Sequence, residues 1–342
     1  MAMNRVLVTG GAGMIGAAVV RRLLADPAYE VRVSDQREAP QWMREGCQVH
    51  TGDLRLAEQA HAATRGASHV IHLAAIVGGI ANFHRLPYTL TEANNALSGA
   101  VVRAALDLDV QRFVYVSSSM VFERAELFPT PEDYLPQCPV PQSAYGFSKL
   151  MGEVYCRAAH EEHGLPYTIC RPFNAYGPGE QPDAEPGIAH AVPDLINKVL
   201  SGQRPLEIFG SGEQTRTLTH VEDIADGIVT AMGSAKGLNE DFNISASREL
   251  TISEIARIVW EACGEDPDAF ALKQRPSFAI DVQRRWPSVE KARKLLGWRA
   301  RIKLEDGIAA TVRWLRRDRP PVPLGVPARP RRAGRRRVGG AL

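Results

Sequence analysis

Short apolar runs alternate with amphipathic segments of helical length through the first third of the chain. A run that is apolar on both faces predicts a buried strand, whereas apolar residues spaced three and four apart predict a helix. Strands separated by helices indicate a parallel sheet that is covered on both sides and binds ligands at the carboxyl ends of its strands. The predicted strands are Arg5–Val8, Glu30–Ser34, Val70–Leu73 and Arg112–Ser117, and the predicted helices between them are Ile15–Leu24 and Ala93–Leu106.

The pattern changes in the second half of the chain. A long helix and one more strand are followed by loops rich in Pro and Gly, which indicate a smaller and more irregular region after residue 175. Three more helices are predicted before residue 318. The predicted elements of this half are the helix Ala144–His163, the strand Tyr167–Arg171, and the helices Ile252–Cys263, Val289–Leu296 and Leu304–Leu315.

Composition excludes several classes of protein. Apolar residues make up 44% of the 342 residues and charged residues 23%, which is typical of a folded globular protein. The five Cys are scattered without a C-x-x-C pair, so neither a disulfide framework nor a metal site is predicted. No apolar run is long enough to span a membrane, and no signal-peptide pattern is present, so we expect a cytoplasmic protein.

Residues 319–342 differ from the rest of the chain. They contain seven Arg and no acidic residue, among many Pro and Gly, and such a composition predicts a disordered basic tail. Contact of this tail with nucleic acid or a membrane is a less favoured reading. We expect the folded part to bind neither.

A Gly-rich segment follows the first predicted strand and opens the first helix. Gly allows the backbone to approach a ligand closely, and the free N–H groups of the helix start can bind a pyrophosphate. Asp35 ends the second strand, where its carboxylate can accept hydrogen bonds from ribose hydroxyls and repel a 2′-phosphate. The pattern predicts NAD rather than NADP, although the positive charge of the nearby Arg37 would also be compatible with NADP. The segment contains Gly10, Gly13, Met14, Ile15 and Gly16.

Tyr145 and Lys149 stand four residues apart at the start of the long helix, and therefore on one face of it. A neighbouring ammonium is expected to lower the pKa of the phenol, which would make Tyr145 a general base near neutral pH. Ser118 follows the strand before this helix, at the sheet edge where the ligand is expected. Its hydroxyl could bind a substrate oxygen and share a proton with Tyr145.

Together these motifs resemble the extended short-chain dehydrogenase/reductase superfamily, in its branch of nucleotide-sugar epimerases and dehydratases. The resemblance runs from residue 5 to about residue 315 and includes GDL at 52–54, HLAA at 72–75, RPFNAYGP at 171–178, QTRT at 214–217 and LGW at 296–298. It implies a Rossmann-type doubly wound parallel sheet with a smaller α/β substrate-binding C-terminal region. The expected division is an NAD-binding domain at 1–175, to which residues near 215–245 return, and a substrate-binding region at 176–318.

The resemblance also implies roles for individual residues. Tyr145, Lys149 and Ser118 would be catalytic. The NAD site would contain the Gly-rich segment, Tyr145 and Lys149, together with Asp35, Gln36, Asp53, Leu54, Leu73, Ala74, Ala75 and Pro172. The nucleotide-sugar site would contain Ser118, Ser119, Met120, Asn174, Arg216 and Arg284, with Arg285 as the alternative to Arg284.

The reaction depends on the two residues after Ser118. The 4,6-dehydratases carry Asp and Glu there, the glucuronate decarboxylases a Glu at the second position, and the 3,5-epimerases and fucose synthases a Cys, whereas this chain has Ser119 and Met120. Neither side chain can transfer the additional protons that those reactions require. A 4-epimerase needs only Tyr145, Lys149, Ser118 and NAD, so 4-epimerisation of a UDP-hexose is the leading hypothesis.

The alternatives stay open at this point. They are a GDP-mannose 3,5-epimerase or GDP-fucose synthase-like enzyme, in which His84 or His190 would supply the missing acid, a nucleotide-sugar dehydratase or decarboxylase, and a non-catalytic NAD-binding protein. The resemblance further implies a homodimer formed through the helices Ala93–Leu106 and Ala144–His163.

Overall fold

The computed structural model describes residues 3–77, 85–183, 189–278 and 281–318. The basic segment 319–342 and His84, to which the sequence analysis assigned possible roles, lie outside these residues. Among the described helices, none combines the length and the apolar character that crossing a membrane requires.

A parallel sheet of seven strands lies at the centre of the fold, in the order β11-β6-β5-β4-β1-β2-β3. This order places the first strand in the middle and extends the sheet outward on both sides, as in a doubly wound Rossmann-type fold. The sheet strands are β1 (Asn4–Thr9), β2 (Tyr29–Asp35), β3 (Gln48–Thr51), β4 (His69–His72), β5 (Arg112–Val116), β6 (Tyr167–Pro172) and β11 (Glu240–Ile244).

Helices cover both faces of the sheet because successive residues of a strand point to opposite sides. In β1, Val6 and Val8 pack into a core beneath α1 and α7, whereas Leu7 packs into the core beneath α3, α4 and α5. The described helices are α1 (Met14–Leu24), α2 (Gln41–Gly46), α3 (Ala57–Thr64), α4 (Pro87–Asp107), α5 (Ala144–His163), α6 (Ala191–Leu200), α7 (Val221–Gly233), α8 (Ile252–Ala262) and α9 (Leu304–Asp318).

A third core belongs to the C-terminal part of the chain. It buries apolar side chains of α6, α8 and α9 together with those of strand β8, and Trp260 is its largest fully buried residue. The short strands of this part are β7 (Ala175–Tyr176), β8 (Leu206–Phe209), β9 (Thr215–Arg216), β10 (Thr219–His220), β12 (Leu250–Thr251) and β13 (Leu272–Arg275). The predicted fold class, a Rossmann-type sheet with a smaller α/β region, is confirmed.

Most predicted elements are present, with two corrections. Helix α4 begins at Pro87, six residues before the predicted start at Ala93, since proline is readily accommodated at the first helical position. The helix predicted at Val289–Leu296 is a π-helical turn at Ala292–Leu296, which ends at Gly297 in the left-handed conformation. Helix α7 packs on α1, and β11 pairs with β6, so residues after 215 complete the sheet.

Candidate active site

A cavity of about 1200 Å³ lies at the carboxyl ends of the central strands and extends toward the C-terminal region. The strand ends bring together residues that are far apart in the sequence, as expected for a doubly wound sheet. The residues predicted for the NAD site all line this cavity: Gly10, Gly13, Met14, Ile15, Gly16, Asp35, Gln36, Asp53, Leu54, Leu73, Ala74, Ala75, Tyr145, Lys149 and Pro172.

Two glycines make the turn between β1 and α1 possible. Gly10 has a φ of +70°, and a Cβ at this position would lie 2.8 Å from backbone atoms of Ala74. A Cβ on Gly16 would overlap the carbonyl oxygen of Gly10. Any larger residue would therefore push the loop away from the sheet. This close packing leaves the start of α1, with Gly13 as its N-cap, open to the cavity as a cradle that fits a pyrophosphate.

Asp35 holds the end of β2 against the Gly-rich loop. Its carboxylate accepts a hydrogen bond from the backbone N–H of Ala12 at 3.0 Å, and the guanidinium of Arg37 forms an ion pair with it at 3.1 Å. Only 8% of the Asp35 side chain is exposed. The negative charge thus lies at the cavity edge where an adenosine ribose is expected, in contact with Arg37, which could otherwise favour a 2′-phosphate.

Asp53 follows β3 at the same edge of the cavity. The guanidinium of Arg55 donates hydrogen bonds to both of its carboxylate oxygens, and this contact lowers the pKa of Asp53 below its usual value. Gln36 also donates a hydrogen bond to Asp53. These polar contacts hold the loop after β3 beside the loop after β2.

Tyr145 lies in the first turn of α5, whose start is fixed by the side chain of Ser143, which accepts a hydrogen bond from the N–H of Gly146. The phenol of Tyr145 is hydrogen-bonded to Ser118, which follows β5. Lys149, one turn further along α5, donates from Nζ to the carbonyl oxygen of Val116 at 2.8 Å. The structure therefore brings Ser118, Tyr145 and Lys149 together beside the cavity, as the sequence predicted.

The expected effect on the pKa of Tyr145 is wrong. Burial raises the pKa of Tyr145 to about 12, and the hydrogen bond with Ser118 and the positive charge of Arg285 only lower it in part. Burial also lowers the pKa of Lys149 to about 8, against the opposing effect of Glu153. Burial therefore dominates the pKa of both groups, and in the protein alone the phenol is protonated at neutral pH.

Asn174 and Arg216 lie at the other end of the cavity. The side-chain amide of Asn174 donates to the carbonyl oxygen of Thr217 at 3.0 Å. Arg216 donates to the carbonyl oxygen of Val282 at 2.6 Å and forms an ion pair with Asp281 at 3.0 Å. Both residues line the cavity, as do Ser118, Ser119 and Met120.

Arg284 does not belong to this site, and its assignment to the substrate is corrected. Its guanidinium pairs with Glu249 at 2.8 Å, and 45% of the side chain is exposed outside the cavity. The alternative, Arg285, lines the cavity instead and donates to Oδ1 of Asn174 at 3.0 Å and to Sδ of Met120 at 2.9 Å. Burial and the charge of Arg216 lower the pKa of Arg285 to about 9. The two adjacent arginines thus face different surroundings, Arg284 the surface and Arg285 the cavity.

Several cavity residues lie outside the sequence motifs, and of those named here only His190 was considered from the sequence, as a possible additional acid. Glu123 follows the 3-10 turn Ser119–Phe122, and His190, at the N-cap of α6, contacts Glu180 through Nδ1 at 2.6 Å. The charge of Glu180 raises the pKa of His190. The same cavity also contains Asp194, Lys198, Phe209 and Asp281. Pairs of titratable residues far apart in the sequence leave no local pattern, so only folding reveals them.

The sequence matches a family model described as NAD dependent epimerase/dehydratase family over residues 6–245. The chain belongs to this family. A UDP-glucose 4-epimerase of Mycolicibacterium smegmatis is 30% identical over 321 residues, which cover 91% of this chain and 98% of the relative. NAD dependence is a property of the family, and the prediction of NAD as the cofactor is confirmed.

Solved structures of members with different activities are equally similar. The crystal structure of UDP-glucose 4-epimerase from Thermotoga maritima, with UDP-glucose, has a TM-score of 0.81 and 30% identity, covering 91% of this chain and 98% of its own. The dTDP-glucose 4,6-dehydratase from Streptomyces venezuelae, solved with NAD bound, has a TM-score of 0.81 and 29% identity, covering 92% and 98%. The comparisons thus establish a nucleotide-sugar epimerase or dehydratase family. They do not distinguish between these reactions, so the reaction has to be inferred from the residues of the cavity.

Proposed function

We propose that this protein is an NAD-dependent nucleotide-sugar 4-epimerase that acts on a UDP-hexose in the cytoplasm as a homodimer. The observation that carries the proposal is the side chain beside Tyr145. Met120 packs against Tyr145 and Val282, and its sulfur accepts a hydrogen bond from Arg285. A thioether cannot gain or lose a proton, so this position does not support elimination of water or inversion next to a ketone.

The groups of the cavity suit a 4-epimerase. When bound, NAD⁺ supplies an acceptor that takes a hydride from sugar C4 and gives it back on the opposite face. Beside a bound NAD⁺, whose positive charge favours the phenolate, Tyr145 would take the proton of the C4 hydroxyl and return it, and Ser118 holds the phenol through a hydrogen bond. Lys149 holds the region of Val116 next to this pair. The 4-keto sugar turns over in the cavity between the two transfers.

Asn174, Arg216 and Arg285 would bind the diphosphate of the nucleotide sugar. The guanidinium group of Arg285 is buried, and the nearby charge of Arg216 contributes with burial to the lowered pKa of Arg285. Asp281 pairs with Arg216 but forms no ion pair with Arg285 among the described residues, so a diphosphate would supply negative charge for Arg285 and a further acceptor for Arg216. UDP as the nucleotide is supported by the UDP-glucose 4-epimerases among the relatives.

A second candidate is a 3,5-epimerase or fucose synthase-like enzyme that acts on a GDP-sugar. The Glu180–His190 pair favours it, because an imidazole next to a carboxylate in the cavity can act as an additional acid or base. In this reaction His190 would remove a proton from carbon next to the ketone, and that proton would exchange with solvent.

Proton NMR of the NAD-loaded protein in D₂O separates the two candidates. Samples of UDP-glucose, UDP-galactose, their glucuronate and N-acetyl forms, and GDP-mannose are followed for new sugar signals. Formation of a 4-epimer without deuterium at any sugar carbon supports the proposal, since hydride returns within the complex. Deuterium at C3 or C5 overturns it in favour of the second candidate, and net accumulation of NADH contradicts both.

A further inference from the structure

Glu123 has an incomplete set of hydrogen bonds in the wall of the cavity. The residue is only 8% exposed, and its Oε2 accepts a hydrogen bond from the backbone N–H of Ser143 at 2.9 Å. Its Oε1 is buried and has no hydrogen-bond partner among the residues that the structure describes. A buried carboxylate oxygen without a donor is costly, so a missing donor is expected to come from a ligand.

The position of Glu123 indicates a ligand that would lie beside Tyr145 and Met120. Glu123 lines the same cavity as these two residues, and Ser143, which holds its other oxygen, is the N-cap of the helix that carries Tyr145. The carboxylate is therefore fixed with respect to the first turn of α5. It lies at the sugar end of the cavity rather than at the Gly-rich loop.

Arg285 is near Glu123, but its donors are directed elsewhere. Its two terminal nitrogens donate to Asn174 and Met120, and its Nε is buried without a partner among the described residues. The charge of Glu123 raises the pKa of Arg285, although burial and Arg216 lower it by more. Among the described residues, Arg285 therefore forms no hydrogen bond with Oε1 of Glu123, although its charge is nearby.

We infer that Glu123 selects the sugar: its carboxylate accepts a hydrogen bond from a hydroxyl of a neutral hexose and disfavours a sugar that itself carries a carboxylate. The inference rests on the proposed function, since it assumes a nucleotide sugar in the cavity. A hydroxyl supplies the missing donor, whereas the carboxylate of a uronic acid supplies none and brings a like charge into a site shielded from water. Residues 119 and 120 cannot make this distinction because neither is charged.

A purely structural role would give a different result. If Glu123 only held Ser143 at the start of α5, its loss would change the geometry of Tyr145 and affect all sugars alike. The ratio of the dissociation constants of two nucleotide sugars that differ only at C6 would not change with such a general loss of binding. Glu123→Gln is the most informative variant. Its amide oxygen can still accept the hydrogen bond from the N–H of Ser143, while its N–H₂ group places a donor where Oε1 was an acceptor.

The experiment measures dissociation constants of UDP-glucose and UDP-glucuronate, and of GDP-mannose and its uronate, by titration calorimetry on the NAD-loaded full-length protein. Wild type is expected to bind the neutral sugar at least about tenfold more tightly than the uronate. Glu123→Gln is expected to reduce this ratio by about tenfold or more. Glu126→Gln, which removes the same charge from an exposed position on the same loop, serves as the matched control and should leave the ratio unchanged.

Three results would overturn the inference: tighter binding of the uronate by wild type, an equal ratio in wild type and folded Glu123→Gln, or no binding of any of these sugars. Circular dichroism and NAD content establish that the variant is folded. Product NMR on the same samples keeps the two proposals apart. A changed ratio without 4-epimer formation contradicts the proposed reaction alone, whereas 4-epimer formation with an unchanged ratio contradicts only the role of Glu123.

Discussion

Lys149 donates a hydrogen bond from Nζ to the carbonyl oxygen of Val116 at 2.8 Å and lies 6.0 Å from the centre of the Tyr145 ring. The lysine therefore connects the helix that carries Tyr145 to the end of β5, the strand that leads to Ser118. Burial lowers the pKa of Lys149 to about 8. The side chain that is hydrogen-bonded to the phenol of Tyr145 is Ser118. Burial thus has the largest effect on the pKa of Tyr145, and the hydrogen bond with Ser118 is the strongest of the contacts that oppose it.

The first prediction concerns this hydrogen bond. Ser118→Ala removes a contact that lowers the pKa of Tyr145, so the pKa rises further above about 12 and less phenolate is present at any given pH. We expect kcat/KM to fall by about tenfold or more near pH 7.5 and to recover in part as the pH rises. Steady-state rates between about pH 6.5 and 10 measure the shift.

Tyr145→Phe provides the reference for that measurement. It removes the proton acceptor itself, so activity should fall by about 10³-fold at every pH, without recovery at high pH. A Ser118→Ala profile that coincides with that of wild type would contradict the role of Ser118 in setting the pKa. Full activity of Tyr145→Phe would refute the proposed mechanism.

The second prediction uses two adjacent arginines that point in different directions. Arg285→Met removes a guanidinium that lines the cavity and should raise the KM for the nucleotide sugar by about tenfold or more, since hydrogen bonds to charged groups are stronger than neutral ones. Arg284→Met removes the same charge one residue earlier, where it pairs with Glu249 at the surface. Its KM should stay within about twofold of wild type, and equal effects of the two substitutions would contradict the assignment.

The third prediction tests the cofactor cradle. The Cβ of Gly16→Ala would overlap the carbonyl oxygen of Gly10, so the Gly-rich loop must shift and the protein should purify with little NAD. Gly233→Ala is the matched control, because its Cβ would have no neighbour nearer than the Tyr29 hydroxyl at 3.5 Å. NAD content by absorbance and fluorescence after purification measures the difference. A Gly16→Ala protein with a full complement of NAD would exclude this loop as the pyrophosphate site.

The sequence predicted most of the sheet and the position of Ser118, Tyr145 and Lys149 at one cavity, for a physical reason. Tyr145 and Lys149 are four residues apart on one helix, and the Gly-rich turn is set by local backbone geometry, so neighbours in the sequence define both features. The pKa of Tyr145 and the role of Arg285 were not predicted correctly. The former depends on how much of the folded protein surrounds the phenol, and the latter on which of two adjacent arginines faces the cavity. Glu123 was not identified because nothing in its local sequence indicates that it lines the cavity.

The fourth prediction concerns the ion pair behind the active site. Glu153, on α5, and Arg171, on β6, are fully buried and contact each other at 2.7 Å, and Glu153 also accepts a hydrogen bond from Ser117. Burial acts to raise the pKa of Glu153, but Arg171 and Arg157 outweigh it, so the pKa lies below its usual value. Glu153→Gln leaves the Arg171 charge with less compensation and should lower the free energy of unfolding by about 3 kcal/mol.

The stability difference between wild type and Glu153→Gln is expected to depend on pH. Because the folded-state pKa of Glu153 is lowered, its contribution is fully present above the unfolded-state value of about 4.5 and is lost as the pH falls through the folded-state pKa. Urea unfolding at pH 7.5 should therefore separate wild type from Glu153→Gln by more than unfolding at about pH 3.5 does. Glu162→Gln, at the exposed end of the same helix, should change the stability by less than about 0.5 kcal/mol at either pH. A difference between Glu153→Gln and wild type that is the same at both pH values would show that the ionised carboxylate is not what stabilises this part of the fold.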